Sequence, residues 1–486
     1  MPSKPLVNLL NWNPQLFREI KGRLTKRNVA IAISVSLLCQ FLVMLLSQFK
    51  ILNLHWIFLA VMLIGGVYML VENIAKEKHL GTLNFIRLSP QSSQNILLGK
   101  LLGVPILIYL AVAISLPLHL WATISSGLSL SWFFGFYGVL ITFCCFFYNL
   151  SLLFAFLGVT QAWLIATITG IFLLSGITQL FDNEIYYVIR ASIIYFGTKE
   201  LLILSTTIIL GLILGSYWIW KALNHRYQNP NDTIISKKQS YWSMVYFHLY
   251  LLFLLINVSY KLPGHIFLWE SLIFLCTINF FWFLLVIALL SPQRQSVQDW
   301  ARYRHQRINN DETAIAKGLA ISLKQDLIWG KKSPPLVAIG INLVITGVIW
   351  SSWILLFYDN YTRLRAILTL ILSLNLILIY AVIVQFVLLM KAEKTAIGKV
   401  GILGGLISLP SIALFLLPIR TNSNLNSLLR STFSWLSSTP YSYNSTIINL
   451  TLITIIAQWI VLTLVTLQLT RKIRKLGTSN SQKLLT

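Results

Sequence analysis

The acidic and thiol side chains within apolar runs are the groups of this sequence most able to carry chemistry. Glu270 lies near the outer end of such a run, a short distance along the chain from Lys261. A charge within a membrane span is costly and commonly functional, so Glu270 is a candidate intramembrane polar site, with pairing to Lys261 as the alternative. Apolar runs also hold four cysteines: Cys39, Cys144, Cys145 and Cys276. They have no CxxC spacing, which favours buried thiols over a metal site or a disulfide.

Motifs of enzymatic catalysis are missing from the sequence. No stretch fits G-x-x-x-x-G-K-[S/T], HExxH or G-x-S-x-G. These spacings are what a phosphate-binding loop, a zinc protease helix and a serine hydrolase require. We therefore expect no catalytic residue, no bound cofactor and no metal site in this chain.

The most informative polar stretch is Glu72–Val104, which lies between two hydrophobic runs. Gly81 suits the left-handed end of an incoming helix, and Thr82 is predicted to cap a short helix that follows. Ser89 and Pro90 form a second start signal, with serine as the cap and proline at the first helical position. A docking element and an ordinary amphipathic connector on the membrane surface both fit this pattern.

Three short motifs follow one another in this stretch. They are Glu77-Lys-x-x-Gly81-Thr82-Leu83, then Leu88-Ser89-Pro90-x-Ser92, then Ile96-Leu-Leu-Gly99-Lys100-Leu-Leu-Gly103. Together they resemble the cytosolic loop of type-2 ABC exporter permeases, which carries a coupling helix that docks on a separate ATPase subunit. The resemblance therefore implies a P-loop ATPase as partner, which would hydrolyse the ATP. The docking residues that it implies are Glu77, Gly81, Thr82, Leu83, Ile86, Arg87, Ser89 and Pro90.

The resemblance also implies a role for each of these docking residues. Leu83 and Ile86 would fill an apolar cleft on the ATPase. Glu77 and Arg87 would match charges on the ATPase, and the Ser89–Pro90 pair would fix the hinge into the third span.

Composition separates this chain from soluble proteins. Of its 486 residues, 56% are hydrophobic and 11% are charged, whereas a soluble domain carries about 25% charged residues. The formal net charge is +24, and its basic residues collect in alternate loops, as the positive-inside rule describes. We therefore expect a multi-pass protein of the plasma membrane, the inner membrane of a bacterium, with membrane lipids as partners and no nucleic acid.

Apolar runs of about 20 residues predict an all-α polytopic membrane protein with about twelve spans and both termini cytosolic. The runs lie near 29–48, 54–72, 100–122, 131–157, 162–180, 201–220, 242–259, 266–290, 335–357, 365–390, 400–418 and 445–469. Shifting the count by one span would remove the bias of Lys and Arg toward the cytosolic side.

Loop lengths recur in the two halves of the chain, which predicts two parallel six-helix repeats. Gln94-Asn-Ile-Leu-Leu-Gly99-Lys100 also matches Gln325-Asp-Leu-Ile-Trp-Gly330-Lys331 before the third span of each half. The predicted parts are a cytosolic lead-in helix in 1–28, a first half at 29–220 with a coupling loop at 73–99, a linker at 221–241, a second half at 242–470 with a basic loop at 291–333, and a cytosolic tail at 471–486.

The basic loop 291–333 lacks the Gly-Thr-Leu and Ser-Pro motifs of the first half. Two helices are predicted in it, near 295–307 and 312–328. Either a diverged coupling element or a site for anionic lipid headgroups fits this loop. Its candidate residues are Arg302, Arg304, Arg307, Lys324 and Asp326.

Residues 13–27 are predicted to form a basic amphipathic helix. Leu16, Ile20 and Leu24 make its apolar stripe, and Arg18 and Glu19 lie on its polar side. Such a helix would lie in the headgroup layer, and in the family that the coupling loop resembles a helix at this place also touches the ATPase. Its candidate contact residues are Phe17, Arg18, Ile20 and Arg23.

Taken together, these features predict the permease subunit of a type-2-like ABC export system, driven by a separate ATPase, with a second permease copy as a further partner. The low charge of the spans favours a lipid-like, polymeric or amphipathic substrate. The alternative is an ion-coupled carrier or a structural component of a membrane protein assembly. Proton coupling would need further buried acidic or histidine side chains, and the sequence pattern singles out none.

Overall fold

The computed structural model of the chain is all-helical over the residues that it describes. These are 12–45, 57–127, 130–159, 161–181, 199–230, 232–259, 265–310, 316–389 and 445–477. The chain divides into two compact units, Met1–Pro230 and Asn231–Thr486. The boundary between the units falls within the linker predicted at 221–241.

Helices of the first unit begin with the predicted lead-in. They are α1 Pro14–Arg23, α2 Lys26–Leu45, α3 Gly66–His79, α4 Thr82–Arg87, α5 Ser93–Gly103, α6 Ile106–Ser125, α7 Leu130–Leu157, α8 Ala162–Phe181 and α9 Lys199–Gln228. A π-helical turn, Val61–Gly65, leads into α3. The apolar runs are helical because lipid offers no hydrogen-bond partner, so each span must satisfy its own backbone groups.

The second unit repeats this arrangement of long helices and shorter connecting ones. Its helices are α10 Lys237–Ser259, α11 His265–Leu290, α12 Arg294–Asn310, α13 Ala316–Trp329, α14 Leu336–Phe357, α15 Asn360–Leu388 and α16 Ser445–Gly477. Helices α12 and α13 confirm the two that were predicted in the basic loop. Trp350 and Trp353 of α14 are buried against leucines of α10, α11 and α15, and they form the core of this unit.

Within the described residues, six helices are long and apolar enough to cross a membrane. They are Ile57–His79, Ile106–Ser125, Phe133–Leu157, Leu336–Phe357, Thr362–Leu388 and Thr451–Leu476. A seventh span results if Phe274–Leu290 and Arg294–Arg304, bent by 65° at their break, are taken together. The chain is therefore a helical, multi-pass membrane protein.

Helices also occupy the described part of the predicted run 29–48, which ends at Leu45, and the runs 162–180, 201–220 and 242–259. The predicted span 400–418 lies outside the described residues. The count of about twelve and the cytosolic termini stay predictions.

The order in which helices pack recurs in the two units. In the first unit α2 packs on α6, α3 on α7 and α7 on α9. In the second unit α10 packs on α14, α11 on α15 and α15 on α16. If each helix is numbered by the predicted span that it contains, the same three pairs are in contact in both units. These pairs are the first and third spans, the second and fourth, and the fourth and sixth. This recurrence does not depend on the sequence match, and it supports two parallel halves.

The matched seven-residue segments differ in structure. Gly99 lies inside α5, whereas Gly330 follows the last residue of α13. The side chain of Lys100 is fully buried, and that of Lys331 is 54% exposed. What recurs between the units is thus the packing order of their helices and not this local motif.

The four cysteines are free of disulfides. Cys144 is buried, and Cys145 and Cys276 are half-buried. Cys39 is exposed on α2, so the expectation that all four thiols are buried is wrong at this position.

Candidate docking site

The short helix α4 leaves α3 through Gly81. The φ angle of Gly81 is 71°, in the left-handed region that glycine adopts without a steric penalty. This confirms the left-handed helix end that was predicted there. A Cβ added at Gly81 would meet nothing within 4 Å, so backbone conformation and not space restricts this position.

Thr82 closes the end of α3 instead of capping α4. Its hydroxyl donates to the carbonyl of Glu77 at 3.2 Å, and the residue at the N-cap of α4 is Gly81 without a side-chain bond. The predicted capping role of Thr82 is therefore wrong. Its hydroxyl reaches back to one of the carbonyls that the last turn of α3 leaves unpaired.

The Ser89–Pro90 pair lies in the turn between α4 and α5. The hydroxyl of Ser89 donates to the carbonyl of Ile86 at 2.7 Å, and this bond closes the end of α4. Helix α5 begins at Ser93, with Ser92 as its cap. The helix start predicted at Ser89 is wrong because a later serine supplies the capping oxygen.

Helix α4 has one face against the protein and one face away from it. Leu83 and Ile86 are 5% and 6% exposed, so the prediction that they enter a cleft on a partner is wrong. Phe85 of α4 is 81% exposed, and Leu80 before the helix and Leu88 after it are 62% and 85% exposed; we call these three residues the apolar ridge. Large apolar side chains exposed together mark a contact site for protein or membrane.

A buried ion-pair cluster joins α1, α3 and α5, the helices that precede and follow α4 along the chain. The ammonium nitrogen of Lys100 is 2.6 Å from Oε1 of Glu77, 3.0 Å from Oδ1 of Asn73 and 3.6 Å from Oε1 of Glu19. We call Glu19, Asn73, Glu77 and Lys100 the charge cluster. Burying a lone ammonium costs several kcal/mol, and these three oxygens offset that cost while they join α1, α3 and α5.

Two arginines of α1 lie at the rim of the charge cluster. Nη2 of Arg18 is 3.1 Å from Oε1 of Glu77, and Nε of Arg23 is 3.4 Å from Oε2 of Glu19. Glu77 thus binds within its own chain, and its predicted role in matching the charge of a partner is wrong. Glu19 is buried as well, contrary to its predicted place on a polar, exposed side.

Two glycines of α5 allow α1 to approach closely. A Cβ at Gly99 would lie 2.8 Å from the backbone nitrogen of Leu16, and a Cβ at Gly103 would lie 2.6 Å from Cβ of Glu19. Small residues spaced by four are a common means of close helix packing in membrane proteins. The lead-in helix is therefore packed on the protein.

The lead-in helix is confirmed over Pro14–Arg23, but its predicted stripe is only partly covered. Leu16 is buried, Phe17 and Ile20 are half-buried, and Leu24 is exposed. Hydrogen bonds and the charge cluster, more than an apolar stripe, set the orientation of this helix.

Arg87 lies in a groove beside α4. Its guanidinium carbon is 5.7 Å from the ring centre of Phe156 and 5.4 Å from that of Tyr227. Burial lowers the pKa of Arg87, and the Tyr227 hydroxyl opposes this effect. Because an arginine pKa starts above 12, the side chain stays charged, and cation–π contact partly replaces its lost hydration.

The basic loop of the second unit is held by a different buried cation, Lys237. Its ammonium donates to the carbonyl of Leu327 and to the hydroxyl of Ser333, each at 2.7 Å. Burial lowers the pKa of Lys237 to about 8, and the carboxylate of Asp326 opposes this effect. Sequence reasoning missed Lys237 because it lies in the linker, far along the chain from its partners.

The candidates in this loop are placed differently from one another. Arg304 is buried and forms an ion pair with Asp326, so these two residues hold α12 to α13. Arg302 and Lys324 are exposed, whereas the side chain of Arg307 lies outside the described part. Glu270 falls in α11, and the polar site expected there stays a prediction.

A buried polar chain between α10 and α14 was also missed. The Trp350 indole donates to Nδ1 of His248 at 3.2 Å, and Nε2 of His248 is 2.8 Å from the Thr346 hydroxyl. Since indole only donates, Nδ1 accepts, and the neutral ring carries its hydrogen on Nε2. The available signal was the spacing of Asn342, Thr346 and Trp350, four residues apart on one helix face.

A second buried histidine, His119, lies in the first unit. Its Nδ1 is 2.7 Å from the hydroxyl of Tyr137, and rings of Phe58, Phe133 and Phe136 surround it. Among the residues that the structure describes, no three His, Cys, Asp or Glu side chains are placed to hold a metal ion.

No protein family, characterised protein or solved structure matches this chain significantly.

Proposed function

We propose that this chain is the permease subunit of a type-2-like ABC export system, driven by a separate P-loop ATPase. The observation that carries the proposal is the apolar ridge, formed by Phe85 of α4 and by Leu80 and Leu88, which flank this helix. This ridge stands on a helix that is fixed from behind by Leu83 and Ile86 and is turned outward at Gly81. An exposed apolar surface on a rigid support is what a docking partner requires.

The charge cluster gives the ridge a mechanical connection to the membrane helices. Glu77 is in the last turn of α3, and Lys100 is in α5, which continues into the membrane-crossing helix α6 after Val104 and Pro105. Movement of α4 would therefore be transmitted to two membrane helices, α3 and α6, through the buried ion pair of Glu77 with Lys100. Repeated closing of the ATPase would rock these helices and open a path for the substrate to the outer side.

The repeated packing order supports a pseudo-dimer, in which each unit supplies one six-span half. A second permease copy would be needed only if the basic loop of the second unit does not dock an ATPase. The plasma membrane, the bacterial inner membrane, is the proposed location, because the ATPase would draw on cytosolic ATP.

The alternative of an ion-coupled carrier draws on the two buried histidines. His248 has both ring nitrogens within hydrogen-bond distance of neutral groups, and Nδ1 of His119 contacts the hydroxyl of Tyr137. A proton path needs a group that changes charge readily, whereas both ring nitrogens of His248 are engaged with an indole and a hydroxyl of its own unit. These contacts favour a structural role for His248.

The proposal is tested by purifying the tagged full chain in mild detergent and identifying bound proteins by mass spectrometry. Phe85→Asp and Leu88→Asp place a carboxylate on the ridge, and Phe85→Leu is the matched control that keeps the position apolar. A carboxylate forced into an apolar cleft costs several kcal/mol, which corresponds to a loss of binding of roughly 100-fold or more.

We expect a P-loop ATPase to co-purify with the wild type and with Phe85→Leu, and to be lost in both aspartate variants. If an ATPase binds all forms but is lost on Trp329→Asp, the docking surface lies on the basic loop of the second unit. If no P-loop ATPase is found with any form in several detergents, the permease proposal is wrong.

A further inference from the structure

A cavity of about 210 Å³ lies behind the apolar ridge, within the first unit. We call it the cationic groove. Lys78, Arg87 and Arg226 line it together with Ala155, Phe156 and Pro230. Its volume is several times the ~30 Å³ that one water molecule takes up in the liquid, so a charged headgroup has room to enter.

The charge of this groove is one-sided. Among the described residues that line it, three are cationic and none carries a carboxylate. The nearest acid along the chain, Glu77, is bound to Lys100 and Arg18. Arg87 contacts aromatic rings of Phe156 and Tyr227, which hold its guanidinium in place without neutralising it. An anion would therefore find a preformed site.

The depth of the groove indicates which anion reaches it. Lys78 lies in the last turn of the candidate span Ile57–His79, and Ala155 and Phe156 lie in the last turn of Phe133–Leu157. Two membrane-crossing helices end at the same level here. That level is the headgroup region, where phospholipid phosphates are found.

We propose that the cationic groove binds the phosphate headgroup of an anionic phospholipid from the leaflet that is predicted to be cytosolic. Arg87 would hold two phosphate oxygens with its planar fork, and Lys78 would act as a point charge. The acyl chains would lie along the end of α7. The bound lipid would then pack against the rear of α4 and form part of the support of the ridge.

This inference goes beyond the permease proposal and does not require it. The headgroup would bind whether or not an ATPase is present, so each idea can fail while the other holds. An acidic side chain of a partner protein is the competing occupant, and the experiment must exclude it.

The test uses the purified, delipidated full chain without any ATPase. Dioleoyl-phosphatidylglycerol is titrated in, and retained lipid is counted by native mass spectrometry, with dioleoyl-phosphatidylcholine as the zwitterionic comparison. The variant is Lys78→Gln with Arg87→Gln. The matched control is Lys21→Gln with Lys26→Gln, which removes the same charge from two exposed lysines of the same unit.

We expect the groove variant to lose phosphatidylglycerol affinity by about tenfold or more, since each cation near an anionic headgroup contributes roughly fivefold. The control should lose much less affinity than the groove variant, because Lys21 and Lys26 do not line the groove, and phosphatidylcholine should bind weakly to all forms. Equal retention of phosphatidylglycerol in the variant and the control would overturn the proposal, as would equal retention of the two lipids by the wild type.

Two further measurements test whether misfolding of the variant, or binding of a different ligand, explains the result. A photoactivatable phosphatidylglycerol should label the wild type near Asn84 or Phe156, and labelling confined to other segments would overturn the site. Inorganic phosphate at millimolar concentration should leave the lipid bound. If it displaces the lipid, the groove takes free phosphate instead.

Discussion

Replacing Lys100 by methionine is the most direct test of the charge cluster. The change keeps a similar side-chain volume, with a chain shorter by one atom, but removes the ammonium group 2.6 Å from Oε1 of Glu77 and 3.6 Å from Oε1 of Glu19. Both carboxylates are buried, and each would lose its interior cation. Arg18 and Arg23 would stay at the rim, so the loss would be partial for each acid.

The size of the effect follows from this geometry. Removing one partner of a buried ion pair typically costs about 3 to 5 kcal/mol. Compensation by the half-exposed Arg18 places the expected loss for Lys100→Met near the lower end, about 3 kcal/mol. The double variant Lys100→Met with Glu77→Gln should recover part of this, because the carboxylate that has lost its cation is then gone.

The assay is reversible unfolding in mild detergent, followed by tryptophan fluorescence as sodium dodecyl sulfate is added. Lys331→Met is the matched control, because Lys331 occupies the corresponding place in the repeated motif and is exposed, 3.7 Å from Asp232. An exposed pair contributes about 0 to 1 kcal/mol. A loss below about 1 kcal/mol for Lys100→Met, or a double variant less stable than the single one, would refute the role of the charge cluster.

Three further substitutions test separate parts of the structure. Gly103→Val should push α1 away from α5, because its Cβ meets that of Glu19 at 2.6 Å; we expect a loss of about 1 to 3 kcal/mol and faster proteolysis at the lead-in helix. Gly81→Ala should cost about 1 to 2 kcal/mol in unfolding free energy because of its positive φ, whereas Gly22→Ala, with nothing within 4 Å, should be neutral or stabilising. Burial lowers the pKa of Lys237 in the folded state to about 8 from its ordinary value of 10.5, so the unfolded state binds more protons between these values. The free energy of unfolding should therefore rise with pH from about 8 to about 10 in the wild type relative to Lys237→Met, and a flat difference across that range would contradict the burial of this ammonium.

The sequence predicts the helices around α4 well because their signals are local. Gly81 is left-handed, as expected of a glycine at a helix end, and the short helix after it begins within one residue of the expected position. The described parts of the apolar runs are likewise mainly helical, although a turn at Val104 and Pro105 interrupts the run 100–122. Hydropathy and glycine placement act over a few residues, so one sequence is enough to read them.

What the sequence does not predict depends on contacts between distant segments. Leu83 and Ile86 form an apolar face, but only the packed structure tells that this face is covered by the chain itself. In the sequence, Lys100 is one basic residue near the start of a helix. The two carboxylates that it pairs with, those of Glu19 and Glu77, lie on two other helices. Periodicity identifies a helix face without identifying what lies against it.

The charge cluster also places a constraint on how the first unit is made. Glu19 leaves the ribosome long before Lys100, and at about 5 to 20 residues per second the delay is roughly 4 to 16 s. During that interval Glu19 has the arginines of its own helix but lacks Lys100, and the lead-in helix lacks the surface that Gly99 and Gly103 provide. The contact between α1 and α5 forms only after α5 has been synthesised. Its formation therefore marks the moment at which the first membrane helices have assembled in the correct order.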